Sequence, residues 1–215
     1  MNLFDATADS TAARLPLADG AFLLSGFALA REAALHRALD EVIAQAPFRH
    51  MVTPGGLSMS VAMTNCGALG WVSDRRGYRY DAIDPDSGRP WPAMPAAFRA
   101  LAVDAAAYAG FDGFEPDACL VNRYAPGARL SLHQDRDEQD YSQPIVSVSL
   151  GLPAVFLFGG ARRNDKASRV PLSHGDVAVW GGASRLNFHG VLPVRDGEHP
   201  LMSAWRINLT FRKAG

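Results

Sequence analysis

Asn122-Arg-Tyr-Ala-Pro-Gly-Ala-Arg-Leu-Ser-Leu-His133-Gln-Asp135 is the stretch on which the reading of this chain turns. Ala125-Pro-Gly marks a turn, so the stretch reads as two strands on either side of it. Residues two apart in a strand share a face, which puts Asn122 with Tyr124, and His133 with Asp135 while Gln134 turns away. Two distant segments answer this one, Asn187-Phe-His189 and Arg206-Ile-Asn208-Leu-Thr-Phe-Arg212. On the last of these, Arg206, Asn208, Thr210 and Arg212 fall on one face, and Ile207, Leu209 and Phe211 on the other. Two arginines beside an asparagine suit an anion, above all a carboxylate, whose geometry the guanidinium fork matches.

His133, Asp135 and His189 together make two imidazoles and one carboxylate. A non-haem Fe(II) oxygenase uses this set to hold iron on one face and leave the opposite positions open. His-x-Asp alone recurs by chance, and a lone histidine is most often structural. Specificity comes from the combination with Asn-x-Tyr upstream and Arg-x-Asn-x-x-x-Arg downstream, all on predicted strands of matching parity. The same donors also suit zinc, so a zinc site or a sugar-binding cupin-like module remains open. The two arginines weigh against it, because they make sense with an anion docked beside the metal.

Outward from these motifs, the chain divides into a mixed first half and an all-β second half. Extended Ala21–Leu24 precedes a helix over residues 31–46, where Leu35, Ala38, Leu39, Val42, Ile43 and Ala46 form one stripe. Residues 58–63 read as a strand, and residues 71–91, rich in aromatics, arginine, glycine and proline, as a lid. A second helix begins near Pro95 and stops at Gly110, with Phe98, Leu101, Ala102, Ala105 and Ala106 inward. From Ala118 onward, short strands alternate with turns. Over residues 145–150, Ser147 and Ser149 alternate with Val146 and Val148, so the hydroxyls face a cavity, whereas Val177–Trp180 is apolar enough to be buried on both faces. The expected architecture is mainly β with flanking helices (α+β), a double-stranded β-helix or jelly-roll with the N-terminal helices packed on one sheet. One domain spans residues 1–215, with a loosely ordered tail at 1–20, a substrate-recognition lid at 50–92 and the jelly-roll core at 118–213.

Composition narrows the class without naming the chemistry. With 48% hydrophobic and 20% charged residues, the chain is an ordinary soluble protein and not a disordered one. A formal charge of -1 gives no bulk attraction to nucleic acid. Local clusters remain, at Arg75, Arg76 and Arg79; at Arg123, Arg129 and Arg136; and at Arg162, Arg163, Lys166 and Arg169. Each is either a phosphate contact or a solvated turn. No apolar run is long enough to span a membrane, and the start lacks a secretory pattern. Cys66 and Cys119, in no metal-type spacing, fit a reducing cytoplasm.

Asn122-Arg-Tyr-x-x-Gly, His133-x-Asp135-x-Asp137, His189 and Arg206-x-Asn208-x-x-x-Arg212 resemble the signatures of the AlkB family, Fe(II)- and 2-oxoglutarate-dependent dioxygenases that dealkylate nucleic acids. The resemblance covers most of the chain beyond about residue 20. It implies that His133, Asp135 and His189 bind iron and that Asn122, Tyr124, Arg206, Asn208 and Arg212 hold 2-oxoglutarate. It also implies that Trp71, Tyr78, Asp137 and Arg163 lie at the substrate. The implied reaction couples decarboxylation of 2-oxoglutarate by O2 to hydroxylation of an N-methyl group, which then leaves as formaldehyde. The expected substrate is single-stranded DNA carrying bases of the 1-methyladenine or 3-methylcytosine type, with RNA and duplex DNA also open. The protein is expected to act as a monomer in the cytoplasm, in the repair of alkylation damage. An oxygenase acting on a small molecule or peptide is the alternative that would keep the same iron and cosubstrate residues.

Overall fold

A computed structural model of the protein describes residues 13–215, so the first twelve residues of the expected tail lie outside the described residues. Its elements in chain order are β1 (Arg14–Ala18), β2 (Ala21–Leu24), α1 (Glu32–Gln45), β3 (Arg49–Val52), β4 (Ser58–Gly67), β5 (Gly70–Asp74), β6 (Gly77–Asp81) and α2 (Ala96–Tyr108). There follow β7 (Ala118–Tyr124), β8 (Leu130–His133), β9 (Ile145–Gly151), β10 (Ala154–Phe158), β11 (Ser168–Leu172), β12 (Val177–Trp180), β13 (His189–Val191) and β14 (Arg206–Arg212). Both helices lie within two residues of their sequence-based bounds. Gly110, at φ +94°, takes the left-handed conformation that ends α2, and the Phe111 amide donates back to the Ala106 carbonyl.

The strands form an antiparallel major sheet of eight, ordered β1-β2-β12-β9-β14-β7-β4-β3, and a minor sheet of four, ordered β11-β10-β13-β8. A hairpin, β5–β6, forms a two-stranded sheet of its own, tied to the major sheet by the Asn65 side chain on the Trp71 backbone and by the Ser73 hydroxyl on the Val52 carbonyl. Two faces of the major sheet carry two different cores. On one, Leu35 and Val42 of α1 and Phe98 and Leu101 of α2 pack against Val121, Val146, Val148, Leu209 and Phe211. On the other, Tyr124, Ile145 and Trp180 meet Phe156, Phe158, Val170 and Val191 across the gap between the sheets. β12 serves both cores, with Val177 and Val179 toward the helices and Ala178 and Trp180 toward the minor sheet. This is the helix-flanked jelly-roll that the alternation implied.

Two segments differ from the sequence-based picture. Residues 14–18, placed in the tail, form the edge strand β1 on β2, held by Arg14 lying over the Phe22 ring at 3.8 Å and donating to the Ala109 carbonyl. Within residues 50–92, β4 pairs with β7 over six positions and so belongs to the major sheet, while its exposed start and Trp71, Tyr78 and Tyr80 of β5–β6 line the cavity. The cause is burial: Val61 to Cys66 are covered on both faces, which residues 58–60 at the exposed start of the strand did not reveal.

Phe98, 0% exposed and edge-on to Phe211 at 6.0 Å, is the joint between α2 and the major sheet. Phe98→Ala is expected to lower the unfolding free energy by about 3–5 kcal/mol. Urea denaturation at unchanged m-value reads this, and a loss under about 1 kcal/mol would place Phe98 outside the core.

Candidate metal centre and cavity

β14 lies between β7 and β9 in the middle of the major sheet, with Asn208 opposite Asn122 on one side and Ser149 on the other, and Arg206 opposite Tyr124. Matching parity on three neighbouring strands puts Asn122, Ser147, Ser149, Arg206, Asn208, Thr210 and Arg212 on the face turned to the minor sheet, while Arg123 turns the other way onto the Phe48 and Trp205 rings. Asn208 donates to the Ser147 hydroxyl at 2.8 Å and the Val148 carbonyl at 3.0 Å, and accepts from Thr210 at 2.9 Å and Asn122 at 3.2 Å. Ser147 lines the cavity as expected, while the Ser149 hydroxyl accepts from Arg206 Nη2 at 3.2 Å.

Opposite, β13 and β8 pair so that His189 faces His133 directly. Gly190 permits this approach, since a Cβ there would lie 2.7 Å from the Leu130 carbonyl oxygen. His133 Nδ1 is 2.9 Å from the Ser131 carbonyl, and His189 Nδ1 is 3.0 Å from the Asn187 carbonyl. A carbonyl only accepts, so each Nδ1 carries the proton and each Nε2 offers a lone pair. Both Nε2 atoms lie 3.6 Å from the Asp135 carboxylate. The three donor atoms fall within 4.8 Å of one another, the one such cluster among the described residues. Two imidazoles and a carboxylate gathered on one side suit Fe(II) with open positions for ligands.

Asp135 reaches this place by a different route from the one its spacing suggests. β8 ends at His133, so strand alternation does not carry Asp135. Arg212 does: its Nη2 and Nε donate to Asp135 Oδ2 at 2.6 and 3.0 Å. Burial of the carboxylate opposes its ionisation, but the charge of Arg212 and the two imidazoles outweigh that and hold its pKa well below the usual range. Burial and the neighbouring His133 push His189 down, whereas His133, despite its own burial, is held above its ordinary value by the carboxylate.

The two arginines therefore play different parts. Arg212 has its carboxylate inside the protein, while Arg206, 1% exposed, lies over the Tyr124 ring at 4.8 Å and leaves Nε and Nη1 with no hydrogen-bond partner among the described residues. Burial alone depresses the Arg206 pKa. A buried guanidinium without a counter-ion is costly unless an anion completes it.

Asn122, Tyr124, His133, Asp135, His189, Arg206, Asn208 and Arg212 all line one cavity of about 940 Å³, together with Trp71, Tyr78, Asp137 and Arg163. At its mouth Trp71 stacks on Tyr78, 5.6 Å between ring centroids and 12° from parallel, and Trp71 Nε1 donates to Asp137 Oδ2 at 2.8 Å. Arg163 lies 5.3 Å over the Phe188 ring. Of the first arginine cluster, Arg76 and Arg79 both donate to Asp74, whose pKa they pull well below the carboxylate range. Three residues of the centre had no signal of their own in the sequence: Glu138, Arg185 and Tyr80. The Glu138 carboxylate is 2% exposed, accepts from the Tyr80 hydroxyl at 2.7 Å and pairs with Arg185 at 3.2 Å and Arg212 at 3.3 Å.

Comparison with known proteins follows the same lines. Residues 20–212 match the 2OG-Fe(II) oxygenase superfamily. The chain is 58% identical over 213 residues to the alpha-ketoglutarate-dependent dioxygenase AlkB of Escherichia coli (strain K12), covering 99% of each. It is 35% identical over 133 residues to the nucleic acid dioxygenase ALKBH1 of Mus musculus, covering 60% of this chain and 34% of that protein. The solved structure of OsALKBH1 superposes with a TM-score of 0.82 at 32% identity, covering 94% of this chain and all of that one.

The unequal surroundings of the two arginines give a direct expectation. Arg212→Met removes the partner that orients Asp135 and should weaken metal binding by about 10–100-fold, the usual cost of losing such support. Arg206→Met should leave metal affinity within about threefold. Anaerobic Co(II) titration measures both, and equal losses in the two variants would contradict the assignment.

Proposed function

Since the chain belongs to the AlkB family within the 2OG-Fe(II) oxygenase superfamily, and so depends on Fe(II), 2-oxoglutarate and O2, we propose that it oxidatively demethylates alkylated bases in single-stranded DNA. The bases are of the 1-methyladenine and 3-methylcytosine type. The relatives named for nucleic acid and for AlkB support this reading. The observation that carries it is the buried Arg206 with unpaired donors beside the His133, Asp135 and His189 cluster.

His133, Asp135 and His189 would hold the iron through two neutral imidazoles and an ionised carboxylate. Arg206 would take one carboxylate of 2-oxoglutarate, with Tyr124 beside it and with Asn122, whose buried Oδ1 also lacks a partner among the described residues, and Asn208 flanking the rest. Arg212 serves twice, fixing Asp135 and adding positive charge where a dicarboxylate docks. Iron bound there would, with 2-oxoglutarate and O2, supply the oxidising power for hydroxylating the methyl group, one oxygen atom going into its C–H bond and the other into succinate as CO2 is lost. A hydroxymethyl on a ring nitrogen is a hemiaminal, and it releases formaldehyde and the free base without a second catalytic site.

The chain's remaining task is placement and the exclusion of water. Trp71 and Tyr78 present aromatic faces at the mouth, suited to a ring that has left the helix stack. A base methylated at adenine N1 or cytosine N3 is cationic and cannot pair normally, so it is cheaper to unstack than an intact one. Its charge is attracted to the aromatic face and to the Asp137 carboxylate. Arg163, on the cavity lining, would contact a phosphate or the base. The protein would act as a monomer in the cytoplasm. No helix among the described residues is long and apolar enough to cross a membrane.

The test is incubation of the purified protein with Fe(II), ascorbate, 2-oxoglutarate and single-stranded oligonucleotides carrying 1-methyladenine or 3-methylcytosine, followed by mass spectrometry. Loss of one methyl group with release of formaldehyde is expected; intact strands alongside normal 2-oxoglutarate consumption would exclude these substrates. Arg206→Met should raise the KM for 2-oxoglutarate at least about 30-fold, because losing a buried charge partner costs about 2–5 kcal/mol. An unchanged KM would remove Arg206 from the cosubstrate site. Asp137→Ala should keep decarboxylation without oligonucleotide and lower demethylation by about 10–100-fold, the worth of about 1–3 kcal/mol in a hydrogen-bonded charge contact. If both rates stay at wild type, Asp137 is not a substrate residue.

A further inference from the structure

The loop after β8 carries three carboxylates in four positions, and each is held by something different. Asp135 is held by Arg212, Asp137 by Trp71 Nε1 and Glu138 by the Tyr80 hydroxyl. Trp71 and Tyr80 sit directly opposite each other in the hairpin β5–β6, so the hairpin grips the same short loop that presents the metal carboxylate. The grip through Glu138 is the deep one. Its Oε1 accepts from Tyr80 at 2.7 Å and lies 3.3 Å from Arg212 Nε, and its Oε2 lies 3.2 Å from Arg185 Nη2. Arg185 itself is 3% exposed and donates to the main-chain carbonyl of Asp135 at 2.9 Å.

We propose that Glu138 is a positioning residue that couples docking of the β5–β6 hairpin to the geometry of the metal carboxylate Asp135, with Tyr80 as the latch. Its link to the reaction rests on the function proposed above. Arg212 stands between two buried carboxylates, Asp135 and Glu138, and cannot satisfy both fully with the same Nε–H. While Tyr80 donates to Glu138 Oε1, that oxygen has a neutral partner and Arg212 is left to Asp135, as the shorter distances of 2.6 and 3.0 Å to Asp135 record. When the hairpin lifts, Oε1 loses its neutral donor in a buried setting and draws Arg212 toward itself. Asp135 then loses the bond that orients it. A hairpin held down by a base in the cavity thus sets the carboxylate for iron, and an empty cavity leaves it less ordered, which restrains consumption of 2-oxoglutarate without substrate.

The experiment uses the full chain, without oligonucleotide, as wild type, Tyr80→Phe, Glu138→Gln and Trp71→Phe. It reads amide hydrogen exchange of the metal-free protein and the visible spectrum of bound Co(II). Tyr80→Phe, which removes one oxygen atom, is expected to speed exchange at residues 70–81 and at 134–138 together, by about tenfold or more, and to alter the Co(II) spectrum. Glu138→Gln keeps an acceptor for Tyr80 but removes the competing charge, so it should alter the Co(II) spectrum while residues 70–81 stay protected. Trp71→Phe cuts the shallow tie to Asp137 and should leave the Co(II) spectrum unchanged. The proposal is overturned if Tyr80→Phe frees the hairpin alone with a wild-type Co(II) spectrum, or if Trp71→Phe reproduces its effects. Since no readout needs a methylated strand, a failure to demethylate would sink the proposed function and leave this test standing.

Discussion

The buried pair between Arg212 and Asp135 is the constraint around which the rest is arranged. Burial by itself would protonate a carboxylate, and a protonated Asp135 would be a poor ligand for a divalent ion. Arg212 reverses that balance at 2.6 Å, and it can do so only because β14 runs through the centre of the major sheet and delivers it from beneath. Replacing such a pair with well-packed apolar side chains would be neutral or even stabilising, so its presence is not explained by stability. Here it fixes a charged ligand in one orientation.

That requirement propagates outward through strand parity. Seven consecutive residues of β14 are buried, yet every second one is polar. The only way to bury such a strand is to give its apolar side chains to the helices and its polar ones to an enclosed cavity. β7 and β9 obey the same parity, so that Cys119, Val121, Val146 and Val148 join the helix-side core while Asn122 and Ser147 face the cavity. A slip of one residue in β14 would drive arginine into the helix layer and phenylalanine into the cavity, and a slip in β7 or β9 would turn Asn122 or Ser147 toward the helices. The register is thereby specified strongly by the same residues that make the site.

This is also why so much was readable from the chain. The helical stripes of α1 and α2 are imposed by a single buried face, and the period-two pattern of β7, β9 and β14 by an apolar core on one side and a polar cavity on the other, so each leaves its period in the sequence. Asp135 was placed correctly for an incomplete reason: two residues past His133 it lies beyond the strand, and an ion pair 77 residues away in sequence does what alternation was credited with. Glu138 was invisible because Asp-Arg-Asp-Glu, read locally, is a solvated turn; only the arrival of Arg185, Arg212 and Tyr80 from three other elements makes it interior. The membership of β4 in the major sheet was hidden likewise, since its first residues are exposed and its buried continuation, Thr64-Asn65-Cys66, is not apolar enough to announce itself. Patterns set by the contrasting faces of one element survive in a single sequence, whereas contacts assembled from many segments do not.

Charge along the cavity completes the argument. At the deep end Arg206 is almost wholly buried and lacks an acidic partner among the described residues, so the floor favours an anion. At the mouth Asp137 is exposed, beside the stacked faces of Trp71 and Tyr78, and favours a cation. Between them Asp135 and Glu138 face Arg212 and Arg185, two charges against two, with the imidazoles neutral at Nε2. The whole-chain charge of -1 conceals this sorting, because opposite preferences cancel when summed. Local fields in a low-dielectric cavity are strong and bulk ones are screened, so a near-neutral protein can still take a dicarboxylate at one end of a cavity and a positively charged ring at the other.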